Sequence, residues 1–170
     1  MEKELTNEIE HTVGELLRAI DVFGQPAFNT APFEGSWTPG QVVEHIYLSA
    51  SGILKTVEGN TDATERDPGQ MVAPMKDAFL NFSIKMQSPD FIIPSNEPKD
   101  KSFMMQSLKD AFAGLARVAR SQDLLVTCLD FEMPTVGHMT RLEYLSFVVV
   151  HTQRHIWQLK KIAVIMGATE

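Results

Sequence analysis

His151 and His155 stand four residues apart in a stretch of helical patterning. At ~100° per residue their directions differ by only ~40°, so the two imidazoles stack one turn apart and can ligate one ion. Tyr144, Val148, Leu159 and Ile162 lie near His151 on the same rotation, which makes the surrounding face mostly apolar. A divalent ion that keeps a substrate position open takes a third protein ligand from elsewhere. His45 is the candidate, set between Val42, Ile46 and Ser49, with the small Ser49 and Gly52 following along its face and leaving room for water or substrate. Three neutral imidazoles leave such an ion its full positive charge, which suits Lewis-acid chemistry and a lowered pKa for bound water or thiol. Spacing alone also admits a second reading, in which the three are satisfied core histidines.

Other polar residues near this constellation are candidates for supporting roles. Tyr144 lies two turns before His151 and could give or take a hydrogen bond, which makes it the candidate catalytic proton-transfer residue, with core packing as its other reading. Gln158 could support a ligand or touch a cofactor or substrate. Glu44 is rotated ~100° from His45 and reads as solvated rather than as a general base. Arg154 could meet a carboxylate or phosphate at a pocket mouth, but also reads as solvated. Cys128 has no neighbour in sequence that would lower its pKa, and His11 and His138 fall on a polar face and in a loop.

Helices must position these side chains. Ile9, Val13, Leu16, Leu17, Ile20 and Phe23 recur at three- and four-residue steps and predict a first helix from about Thr6 to Phe23. Thr38-Pro39-Gly40-Gln41 is a capping box with proline at the first helical position, opening a second helix from about Pro39 to Val57. Phe103, Leu108, Phe112, Leu115 and Val118 mark a third, from about Ser102 to Arg120. Thr140-Arg141-Leu142-Glu143 is another capping box and opens the longest, from about Arg141 to Met166. About forty residues separate the second and third helices, with a short extra helix expected through Met75, Phe79, Phe82 and Met86. Residues 123–129 have strand propensity but no evident partner and read as extended loop. The pattern is all-α: one domain over residues 1–170, a four-helix bundle whose long crossover carries the extra helix and permits topologies other than up-down-up-down.

Composition narrows the function classes. The chain has 170 residues, 44% hydrophobic and 22% charged, enough apolar material for one sizeable core. Its 15 Lys and Arg against 22 Asp and Glu give a net charge of −7, which opposes binding to nucleic acid. No apolar run approaches the ~20 residues of a membrane span, and the start Met1-Glu2-Lys3-Glu4 lacks a secretory pattern. A single cysteine cannot form an internal disulfide, so a reducing cytoplasm is the expected address, with no membrane and no nucleic acid as partners.

Two segments carry a resemblance. Ser36-Trp37-Thr38-Pro39-Gly40-Gln41-Val42-Val43-Glu44-His45-Ile46, followed by Ser49, resembles the second-helix signature of the DinB/YfiT-like superfamily. Met139 to Phe147, running into His151-Thr152-Gln153-Arg154-His155-Ile156-Trp157-Gln158-Leu159, resembles its last-helix signature, in matching order and spacing. The resemblance implies a four-helix bundle of that type over essentially the whole chain, with a divalent metal held by His45, His151 and His155. It also implies a repertoire of thiol-dependent transferases and isomerases and of metal-dependent hydrolases acting on small electrophilic molecules. Nickel, zinc, iron and manganese all accept imidazole, and a low-molecular-weight thiol is an expected cosubstrate. The competing expectation is a non-catalytic stress-response, ligand-binding or interaction domain, a homodimer in which Trp157 contributes to the interface.

Overall fold

The computed structural model describes residues 1–168 and is built from α1 (Glu2–Asp21), α2 (Gln25–Phe28), α3 (Pro39–Glu58), β1 (Thr61–Asp62), α4 (Val72–Phe79), α5 (Lys101–Ser121), β2 (Thr127–Cys128) and α6 (Arg141–Met166). Both capping boxes form as read. Thr38 Oγ1 accepts from the Gln41 amide and the Gln41 side chain accepts from the Thr38 amide, while Thr140 and Glu143 repeat the arrangement at the start of α6. Asp100 caps α5 through the Phe103 amide, and α6 stops where Gly167 takes the left-handed conformation at φ 66°.

The long crossover makes the bundle up-down-down-up. Asp21 and Lys101 pair at 3.3 Å and Glu10 and Arg120 at 2.9 Å, so α1 and α5 run antiparallel. Glu58 meets Arg117 near the C-terminal ends of α3 and α5, which therefore run parallel. Arg141 at the start of α6 donates from Nε to the Val57 carbonyl at 2.7 Å, which makes α6 antiparallel to α3. A parallel pair needs a connection that returns the full length of a helix, and the forty-odd residues between α3 and α5 supply it. Ile9, Leu16, Val42, Ile46, Leu108, Phe112, Leu115, Val148 and Leu159 are buried between the four long helices.

Three local features differ from the sequence reading. α1 begins four residues earlier than expected, at Glu2. The extra helix α4 covers Val72–Phe79 and stops before Phe82 and Met86, which are exposed. Its apolar period continues past Phe79, but the Phe79 and Asn81 carbonyls accept hydrogen bonds from Arg154 and the chain turns away. Residues 127–128 do find a strand partner: Thr61 pairs with Cys128 and Asp62 with Thr127, antiparallel. The pairing satisfies the backbone of both loops at the end of the bundle away from the histidines.

Candidate metal centre

α3 and α6 bring the three histidines together. His45, on the second turn of α3, faces His151 in the middle of α6, with Nε2 to Nε2 at 3.0 Å; His155, one turn on, places its Nε2 3.2 Å from that of His151. His45 and His151 are buried and His155 is half-buried.

Supporting contacts orient two of the rings. His45 Nδ1 lies 2.8 Å from the Ile92 carbonyl oxygen, which can only accept, so Nδ1 carries the proton and Nε2 presents a lone pair. Gln158 Oε1 lies 2.7 Å from His155 Nδ1 and acts in the same way. A proton on His151 Nε2 could then serve one neighbour, leaving lone pair against lone pair at the other. Protonating a ring does not relieve the conflict, because burial holds His45 below its ordinary value, pushes His155 down to about 3 and holds His151 well below. Mutual repulsion among the rings and the nearby Arg154 add to the effect on His151 and His155.

A shared cation satisfies all three lone pairs. Imidazole nitrogens bonded to one ion at ~2.0–2.1 Å lie ~2.9 Å apart at right angles and ~3.3 Å apart at tetrahedral angles, and the separations of 3.0 and 3.2 Å fall in that interval. The donor set therefore fits a divalent metal.

The sequence of the chain matches the DinB superfamily over residues 8–159. The chain belongs to the DinB superfamily. Among solved structures, this DinB chain is similar to YfiT from Bacillus subtilis, described as a probable metal-dependent hydrolase with an unusual four-helix bundle topology. The two are 18% identical with a TM-score of 0.62, over 98% of this chain and 87% of that one. That likeness establishes the shared fold. No curated protein matches the sequence.

The other candidate residues occupy different surroundings. Gln158 touches His155, as supporting a ligand requires. Tyr144 is fully buried, its hydroxyl donates to the Phe131 carbonyl at 2.7 Å, and burial raises its pKa to about 12. Glu44 turns away from His45, but rather than standing in solvent it pairs with the buried Lys99 at 3.2 Å and accepts from the Ser95 amide. Burial pushes the Cys128 thiol up to about 11, and the residue packs in the core. His11 is exposed, and His138 sits 3.3 Å from Glu132. Trp157 is half-buried: Phe82 stacks on it at 4.6 Å and Lys161 Nζ lies 4.4 Å over its ring.

Several contributors carried no signal in the sequence. The Ile92 carbonyl belongs to the crossover, and a backbone acceptor leaves no trace in residue type. Trp37 lies 5.2 Å from the His45 ring, Phe147 stacks 5.2 Å from His151, and Phe79 meets both Phe147 and His151 at their edges. Arg154, read as solvated, instead ties residues 79–84 to α6.

Replacing Gln158 by leucine keeps the side-chain volume but removes the acceptor for His155 Nδ1. Metal affinity is expected to fall about 10–100-fold, as for other lost supporting partners, while helicity is retained. Competition against a chromogenic chelator measures this, and an unchanged affinity would show that Gln158 does not orient the ligand.

Proposed function

We propose that this chain is a metal-dependent enzyme in which His45, His151 and His155 hold a divalent ion through Nε2, and that it directs water or a low-molecular-weight thiol against a small electrophilic substrate. The observation that carries the reading is the convergence of three neutral imidazole nitrogens from two helices, a donor set that leaves room for an exchangeable ligand. When bound, the ion supplies Lewis acidity, favouring the hydroxide or thiolate form of a nucleophile near neutral pH. YfiT, with the same fold, is described as a probable metal-dependent hydrolase, which supports the choice of reaction class.

The chain's own residues define the rest. Ile92 and Gln158 hold His45 and His155 in the tautomer that presents Nε2. Trp37, Phe79 and Phe147 wall the rings with aromatic surface and limit water, so polar interactions there are stronger than in bulk solvent. Tyr144 has no proton-transfer step in this reading, because its hydroxyl proton is given to Phe131.

The test is turnover by metal-loaded and metal-stripped protein, with p-nitrophenyl acetate for hydrolysis and with a small thiol plus 1-chloro-2,4-dinitrobenzene for S-transfer. Metal-dependent product in either arm supports the enzyme, and the productive arm identifies the nucleophile. Metal binding with no turnover across a broader ester, amide and electrophile panel would favour a ligand-binding domain instead.

A further inference from the structure

Lys99 is the one lysine buried among the described residues, at 7% exposure. Its backbone is fixed to α2 and the residue after it: the amide donates to Asn29 Oδ1 at 2.7 Å, and the carbonyl accepts from Gln25 Nε2 at 2.7 Å and Asn29 Nδ2 at 2.8 Å. The side chain runs past Gly40, where an added Cβ would come within 3.2 Å of Lys99 Cγ, and turns back on its own segment. Nζ lies 2.6 Å from Ser95 Oγ, 3.2 Å from the Ser95 carbonyl oxygen and 3.2 Å from Glu44 Oε2, and it also donates to the Glu97 carbonyl. A lysine is rarely buried without partners, and a buried ion pair adds little net stability over apolar side chains of the same size. What a pair with this many directed bonds adds is a fixed position for the chain it grips.

The gripped residue is Ser95. Its amide donates to Glu44 Oε2 at 2.7 Å, and its carbonyl accepts from Gln41 Nε2 at 3.2 Å as well as from Lys99. Gln41 and Glu44 stand on the same helix as His45, one turn before it and directly beside it. Ser95 is therefore held in the frame of the His45 ring. Three residues back, Ile92 is buried and its carbonyl oxygen lies 2.8 Å from His45 Nδ1. The link between the two is short and stiff, because Pro94 fixes its own φ and biases Ile93 to the extended conformation it takes, φ −68° and ψ 126°. A shift of Ser95 is thus carried to the Ile92 carbonyl rather than absorbed on the way. Ser88 Oγ, at 3.4 Å, is the other group near His45 Nδ1, and a hydroxyl that can donate or accept selects no tautomer.

We propose that Lys99 and Glu44 are positioning residues for the metal centre: their ion pair, closed on Ser95, holds the Ile92 carbonyl on His45 Nδ1 and so keeps His45 Nε2 free to bind the ion. This rests on the metal-centre reading above. It goes beyond that reading by assigning the geometry of one ligand to two residues that do not touch it.

Lys99→Met keeps the length and packing of the side chain beside Gly40 and removes every Nζ bond. The first readout is the long-range proton–nitrogen correlation spectrum of the histidine rings in metal-free protein, with His45 identified by its loss in His45→Ala. Wild type should show one protonated and one bare nitrogen on His45, and Lys99→Met should show the two averaged toward each other. The second readout is zinc affinity by chelator competition, expected to fall about tenfold, the lower end of the range for lost supporting partners, because Lys99 acts through Ile92. Glu44→Ala should reproduce both effects, and Glu44→Gln, which keeps an acceptor for Ser95 and Lys99, should restore most of the affinity. Leu115→Ala is the stability control. Leu115 is buried on α5 close to Arg117, whose partner Glu58 ends α3 away from His45, so the change should lower Tm and leave the His45 spectrum and zinc affinity as they were. A spectrum and affinity unchanged in both Lys99→Met and Glu44→Ala overturn the inference and leave the metal centre standing, as does an equal shift in Leu115→Ala. Wild type with a single His45 tautomer that loads no zinc, cobalt or nickel would overturn the metal-centre reading, and this inference with it.

Discussion

Replacing His151 by alanine is expected to take metal content from about one ion per chain to near zero, with the helical signal preserved. His151 is the hinge of the cluster, since its Nε2 is the atom close to both His45 and His155. Removing it leaves two imidazoles on different helices without the nitrogen between them, a larger loss than the 10–100-fold expected for Gln158→Leu. The metal-free protein should tolerate the change, because the substitution also removes the lone-pair conflict and a buried polar group. Its cost is the space left between Phe79 and Phe147. Thermal unfolding separates the two effects. Metal at ~100 times its Kd stabilises a folded binder by ~2.7 kcal/mol, so wild type should gain several degrees in Tm on loading, and the variant none. Elemental analysis of untagged protein gives the stoichiometry directly. Full metal content in His151→Ala would remove the centre and with it the proposed activity.

The convergence of the histidine pair with His45 was legible because side chains on a helix obey a fixed period, and because both helices that carry them announce their starts. Thr38 with Gln41 and Thr140 with Glu143 place the first turns of α3 and α6, and the rotation of each ligand follows from there. What could not be read depends on distant chain. Phe82 and Met86 continue the apolar period of Phe79, yet Arg154 takes the carbonyls that a longer α4 would have used internally. Ile92 supports His45 through its backbone, which any residue could have supplied. Residues 127–128 have strand propensity, but their partner at 61–62 lies on the far side of the crossover and α5 in the chain. Gln158 was recognisable from its place one turn beyond His155. Arg154 was not, because its neutral acceptors lie in a segment whose path no local pattern dictates.

Glu143 should be a costly position to truncate. Its carboxylate is fully buried and accepts from Arg66 Nη1 at 2.7 Å and Nη2 at 2.6 Å, from the Met71 amide at 3.0 Å and from the Thr140 amide at 2.9 Å. One side chain thus caps α6, pins the start of α4 and anchors the crossover. Glu143→Ala leaves a guanidinium and two amides without their acceptor, at a cost of about 3–5 kcal/mol, nearer the lower end because Arg66 is 28% exposed and can turn to water. At ~2–4 °C per kcal/mol in a domain of this size, Tm should fall by roughly 10 °C. Burial alone would raise the Glu143 pKa, but Arg66 and the two amides outweigh it and hold it below the ordinary 4.5. Between the folded and unfolded values the unfolded chain binds more protons. The contribution is therefore fully present above about pH 4.5 and is lost as pH falls through the lower folded value. Urea unfolding of wild type and Glu143→Gln from pH 7 to 3 isolates it: the stability gap should hold down to about pH 4.5 and close below. A gap that stays constant throughout would mean that the carboxylate's charge is not what joins α4 to α6.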